Sequence, residues 1–201
     1  MRGSRDRLDA GSSGPARQPG SVIDRRGFTL LELLVTLGVL ATLVTLAAPA
    51  MQGMIERNRL KVAAHAFAAD LQWLRGESIR RNRTLHLTID PHAWCYGMAE
   101  IESCDCRLDD PGAPGACALA VAGIRVLHRT SILDHPRVRV GSAGFPGTPP
   151  RTRFEPRRAT AQLGSLTFAS AGGGELRVVL SLLGRVRLCA PAGSVPGYPA
   201  C

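Results

Sequence analysis

The chain has 201 residues, a formal net charge of +9, and is 45% hydrophobic but only 4% aromatic. Once the apolar N-terminal segment is set aside, about 150 residues remain, which excludes two comfortably sized soluble domains. With so few rings, the core must be filled mostly by Leu, Val, Ala and Ile.

Residues 1–27 are rich in Gly, Ser, Pro and Arg and lack apolar periodicity, so they read as a leader without a fold of its own before its removal. The chain then runs Arg25-Arg26-Gly27-Phe28-Thr29-Leu30-Leu31-Glu32, and from residue 28 to 51 the only ionisable side chain is Glu32. Roughly 20 apolar residues at about 1.5 Å rise cross the hydrocarbon core of a bilayer. A carboxylate at that depth costs on the order of 3 kcal/mol, so Glu32 reads as functional. Ala48-Pro49-Ala50 offers a secretory cleavage site, but the glutamate and the length of the apolar run argue against an ordinary signal peptide. A plain signal anchor would leave Glu32 without a role. Arg25 and Arg26 predict a cytoplasmic N-terminus and an exported remainder.

Beyond Pro49, Leu60, Ala64, Phe67, Leu71 and Leu74 recur at spacings of four and three, one apolar face of a helix. Arg57, Lys61, Arg75 and Glu77 fall mostly off that face. The pattern ends near Arg81-Asn82, predicting a membrane half over 28–51 and an amphipathic half over 52–82. After Asn82 the period becomes two: Leu85, Leu87 and Ile89 alternate with polar residues, opening a β domain over 83–201. Further strands are expected over 94–101, 118–122, 124–128, 138–140 and 166–169. The Pro-, Gly- and Arg-rich stretch 144–164 reads as a mobile loop outside the core. Gly172-Gly173-Gly174 reads as a turn, and 175–181 with 185–189 as a hairpin around Leu182-Leu183-Gly184. The fold class is α+β, one long N-terminal helix packed on an antiparallel β domain.

Charge is unevenly placed. Residues 52–123 are close to balanced, whereas 124–189 hold eleven arginines against Asp134, Glu155 and Glu175. That asymmetry predicts an anionic partner for the C-terminal portion. Arg185 and Arg187, two apart on a strand, share a face. Arg177 on the partner strand and Arg151, Arg153, Arg157 and Arg158 in the loop extend the same basic patch. The competing reading of such a run is a solvated surface. With few rings for stacking, an anionic partner is expected to be held by charge.

Six cysteines follow the apolar segment: Cys95, Cys104, Cys106, Cys117, Cys189 and Cys201. In an exported domain an even count predicts disulfides. Locality suggests Cys189–Cys201 as one bridge, with the other four stapling the region around 94–123; a zinc site from those four is the rival. No catalytic constellation, metal-ligand spacing or cofactor motif stands out among the histidines and glycines, so the chain is not expected to be an enzyme and no cofactor is expected.

The stretch Gly27-Phe28-Thr29-Leu30-Leu31-Glu32, followed by Leu33-Leu34-Val35, resembles the class III signal of type IV pilins and type II secretion pseudopilins. The resemblance implies that a prepilin peptidase cuts between Gly27 and Phe28 and N-methylates Phe28. Glu32 would then pair with the terminal amine of a neighbouring subunit. Leu166-Thr167-Phe168 and Gly184-Arg185-Val186-Arg187-Leu188-Cys189 look like the end of the GspH/FimT family. Trp94-Cys95-Tyr96-Gly97 with Cys104-Asp105-Cys106 looks like its FimT branch. This resemblance implies a two-sheet β domain and a minor pilin anchored in the bacterial inner membrane, its C-terminal domain periplasmic, later built into a pilus with other pilin subunits. Through Gly184, Arg185 and Arg187 it implies binding of extracellular DNA for uptake. The alternative it leaves open is an H-type pseudopilin of the type II secretion system.

Overall fold

The computed structural model describes residues 28–201, in two compact units, one ending at Val44 and the other spanning Thr45–Cys201. The leader over 1–27, with Arg25, Arg26 and the Gly27 side of the expected cleavage point, lies outside the described residues.

Helix α1 spans Leu30–Arg81, and it continues through position 49. Its start is set locally, because the Glu32 amide donates to Thr29 Oγ1 at 3.2 Å. Thr29-Leu30-Leu31-Glu32 has the Thr-x-x-Glu spacing of a capping box, and this bond is the Thr half of it. From Phe28 to Leu46 the large apolar side chains are all exposed. The helix is long and apolar enough to cross a membrane.

In the second unit the helix becomes one-sided. Leu60, Ala64, Phe67, Leu71 and Leu74 are fully buried, as their spacing predicts. Against that face lie two antiparallel sheets. The first is built from β1 (Leu85–Asp90), β2 (Cys95–Ala99), β5 (Arg129–Ser131), β7 (Arg151–Glu155) and β8 (Thr160–Ala161), in the order β5-β2-β1-β7-β8. The second is built from β6 (Val138–Ala143), β9 (Gly164–Ser170), β10 (Glu175–Leu180) and β11 (Val186–Cys189), in the order β11-β10-β9-β6. A separate two-stranded ribbon joins β3 (Ala118–Val121) to β4 (Ile124–Leu127).

Alternation fixes the faces. In β10, Leu176, Val178 and Leu180 are buried while Arg177 and Val179 face outward. Val178 sits opposite Leu166 of β9 and Leu188 of β11, so the three strands share one apolar layer. The centre of the core is nevertheless aromatic. Phe67 meets Tyr96, Phe168 and Phe145 edge-on at centroid distances of 5.0, 5.8 and 6.4 Å.

The reading of 144–164 as a loop outside the core is corrected. Arg151–Glu155 forms β7, paired along β1 from Leu85↔Phe154 to Thr88↔Arg151, and Thr152 and Phe154 are buried. The prolines flank the strand and none lies within it: Pro146, Pro149 and Pro150 precede it and Pro156 follows, the Ile89 amide donating to the Pro150 carbonyl at 2.8 Å.

Candidate functional site

Six cysteines form three disulfides: Cys95–Cys106, Cys104–Cys117 and Cys189–Cys201. The first ties β2 to the segment that follows it, and the second ties that segment to the residue just before the ribbon. They consume the thiols that a zinc site would have used, and among the described residues no cluster of His, Cys, Asp and Glu is placed to hold a metal. The third closes the tail beside β11. That tail is also held by Val195, which is buried, and by Tyr198, whose hydroxyl lies 2.7 Å from His65 Nε2 on the helix.

Glu32 occupies the first turn of α1 and Phe28 precedes it, both exposed. A carboxylate there is favourably placed against the positive end of the helix dipole.

The basic residues separate into two groups. Many arginines are neutralised within the chain. Arg151 donates to Glu102, Arg153 pairs with Glu155, and Arg129 with Asp109. Arg80 and Arg81 share Glu77, and Arg81 and Arg83 reach Glu100. The Arg80 and Arg81 bonds hold the Glu77 carboxyl down at about 2 against the cost of desolvation. The patch expected from Arg151 and Arg153 is therefore spent on carboxylates, and both belong to the first sheet rather than to the hairpin.

At the β10–β11 hairpin no carboxylate partner is found for Arg177, Arg185 or Arg187 among the described residues. Arg177 Nε donates to Thr167 Oγ1 at 3.1 Å, which fixes it on the outer face. Arg187 lies opposite Val179 in the ladder, two residues along β10 from Arg177. Arg185 immediately precedes β11 on the same side as Arg187, and both are exposed.

Gly184 enables this turn. Its φ is +70°, in the left-handed region, and its amide donates to the Ser181 carbonyl at 2.9 Å. The Arg185 amide donates to Ser181 Oγ at 3.1 Å. Against Gly184 packs Arg75 of α1, a residue that periodicity assigned to the helix surface. A groove of about 480 Å³ runs along β11, the edge strand of its sheet, lined by Gln72, Arg75, Gly184, Arg185, Val186 and Arg187. The sequence signal for Arg75 was present but weak. It lies one residue past Leu74, at the border of the apolar stripe.

A second polar cluster lies where the helix meets β2. Tyr96 Oη donates to Asp70 Oδ2 at 2.7 Å. Burial pushes the Asp70 carboxyl up, opposed by that bond, and burial with the Asp70 charge pushes the Tyr96 phenol up. Burial likewise lowers His128 and His135. His128 stacks on Trp73 at 4.8 Å. These groups fasten the helix to the first sheet.

The family described as type II transport protein GspH matches residues 63–184, and the prokaryotic N-terminal methylation motif matches 24–48. The pilin-like protein PilA1 of Thermus thermophilus is 32% identical over 170 residues, covering 82% of this chain and 98% of that protein. The type II secretion system protein H of Xanthomonas campestris pv. campestris is 38% identical over 66 residues, 33% of this chain and 39% of that protein. Among solved structures, the type IV minor pilin FimU of Pseudomonas aeruginosa aligns over 72% of this chain and 98% of its own, at 17% identity and a TM-score of 0.47. The minor pseudopilin EpsH of the Vibrio cholerae type 2 secretion system aligns over 66% and 98%, at 16% identity and a TM-score of 0.45.

Proposed function

Because the chain belongs to the GspH family and is a minor pilin or pseudopilin, we propose that it serves in a type IV pilus and binds duplex DNA there through backbone phosphates. The observation that carries the DNA reading is the hairpin: Arg185 and Arg187 are exposed on one side of an edge strand, and neither has a carboxylate partner among the described residues. Guanidiniums left unneutralised at about 7 Å spacing along an extended chain suit a polyanion read without regard to sequence.

Prepilin peptidase cleaves between Gly27 and Phe28 and methylates the Phe28 amine. The apolar helix anchors the subunit in the inner membrane with its N-terminus cytoplasmic and the β domain periplasmic. Three disulfides suit that oxidising side. On assembly Glu32 pairs with the Phe28 amine of a neighbouring subunit, because a carboxylate among apolar helices needs a cationic partner. The filament partners are other pilin subunits.

The test is duplex DNA binding by the full chain in non-ionic detergent, followed by fluorescence anisotropy from about 50 to about 200 mM salt. Losing two phosphate contacts in Arg185→Gln/Arg187→Gln should weaken binding and lower the magnitude of the log K against log salt slope by about 1.8. Unchanged affinity and slope would remove the site. A second reading is an H-type pseudopilin of the type II secretion system, supported by the family description and the match to protein H. Deleting the gene separates the two: loss of pili and DNA uptake on one side, loss of protein secretion on the other.

A further inference from the structure

Arg75 is the one cation of helix α1 in the groove along β11, and its position is unusual for a helix-surface arginine. Its Nε is buried and has no hydrogen-bond partner, and among the described residues its guanidinium meets no carboxylate. About a turn and a half further on, Arg80 and Arg81 crowd onto Glu77. Gly184 covers that Nε, so the donors Arg75 offers to a ligand in the groove are its terminal guanidinium nitrogens, which fork toward an anion.

The turn opposite leaves room for Arg75. A Cβ at Gly184 would stand 2.9 Å from Arg75 Nε, 3.0 Å from its Cδ and 3.3 Å from its Cζ. Gly184 thus serves two ends, the left-handed turn and the seat of a helix arginine. The turn's own amides are occupied, those of Gly184 and Arg185 going to the carbonyl and the hydroxyl of Ser181. The polar side chains that line the groove are Arg75 and Gln72 from the helix and Arg185 and Arg187 from the hairpin.

Resting on the DNA reading above, we infer that Arg75 is a third phosphate-binding residue of that site, closing on the DNA backbone from the helix side while Arg185 and Arg187 hold it from the strand. A phosphodiester carries acceptor oxygens on more than one side, so guanidiniums from two walls of a groove engage it together. The consequence is a site built between helix and sheet, rather than on the hairpin alone.

The same full-chain titration tests this with Arg75→Gln, Arg75→Lys and the Arg185→Gln/Arg187→Gln double variant. Arg75→Gln should weaken DNA binding and lower the magnitude of the salt slope by about 0.9. Arg75→Lys keeps the charge and should keep the slope while binding more weakly, because the fork is lost. A packing role alone would leave the slope of Arg75→Gln at the wild-type value. If Arg75→Gln matches wild type in affinity and slope while the double variant is weakened, the inference falls and the DNA reading stands. If the wild type binds no duplex DNA, or the double variant binds like it, the DNA reading falls and takes the inference with it. Should Arg75→Gln fail to fold, Arg75→Lys decides: undiminished affinity overturns the inference.

Discussion

Removing the Cys189–Cys201 bridge by Cys189→Ala/Cys201→Ala should lower stability without undocking the tail. The bridge spans a sequence separation of 12. On the chain-entropy account, releasing a loop of that size in the unfolded state is worth about 3 kcal/mol. The native side should change little, because other contacts hold the segment. Val195 is buried, the Ala190 amide donates to the Pro199 carbonyl at 2.9 Å, and Ser194 Oγ both accepts from the Glu175 amide and donates to its carbonyl. For a unit of this size 1 kcal/mol corresponds to about 2–4 °C, so the midpoint should fall by about 6–12 °C. Thermal unfolding of the full chain in detergent, followed by circular dichroism, measures it. Protection of the Ala190 and Glu175 amides from hydrogen exchange reports on docking. A midpoint within about 2 °C of wild type would refute the entropic reasoning. A large fall with those amides unprotected would show instead that the bridge alone holds the tail down.

Glu77→Gln should make stability less sensitive to acid. The carboxyl sits below its ordinary value when folded, so its contribution is complete above about 4.5 and disappears as pH falls toward about 2. The gap between variant and wild type should therefore be widest near neutrality and close at pH about 2, and an equal gap at both pH values would refute the assignment. Asp70, which burial shifts the other way, is common to both proteins and cancels in the comparison. Glu32→Ala should leave processing at Gly27 intact but keep the subunit out of filaments, as read by mass spectrometry of the N-terminus and by immunoblot of sheared pili. Normal incorporation would rule out the proposed pairing with a neighbour's amine.

The long helix, its buried stripe and the terminal hairpin were legible because each rests on strong periodicity. Leu60 to Leu74 and Leu176 to Leu180 carry their burial in their spacing. β7 was hidden because Pro146, Pro149 and Pro150 advertise a loop while only Thr152 and Phe154 mark the inward face. β5, Arg129-Thr130-Ser131, has no apolar residue at all and is a strand through its pairing with Cys95, Tyr96 and Gly97. For the site, Arg185 and Arg187 were visible as a motif. The neutralisation of Arg151 by Glu102, 49 residues away, was not, because ion pairing across a sheet follows topology rather than spacing. Arg75 was missed for the same reason: a helical wheel shows which way a side chain leaves the helix, not what waits there.

The junction between helix and sheet has a mechanical consequence. Four residues after Arg81 the chain enters β1 at Leu85, and β1 is the middle strand of five, bonded along β2 on one side and β7 on the other. A pull passed through this joint enters the sheet at a strand flanked on both sides, so two ladders must give way to free it where an edge strand would have one. Arg81 and Arg83, both reaching Glu100 just beyond the end of β2, splint the same joint. Rupture under load is a matter of unfolding rate rather than equilibrium stability. In a subunit meant for a filament, this covalent wiring brings tension into the first sheet at its central strand, while the hairpin lies at an edge of the other sheet.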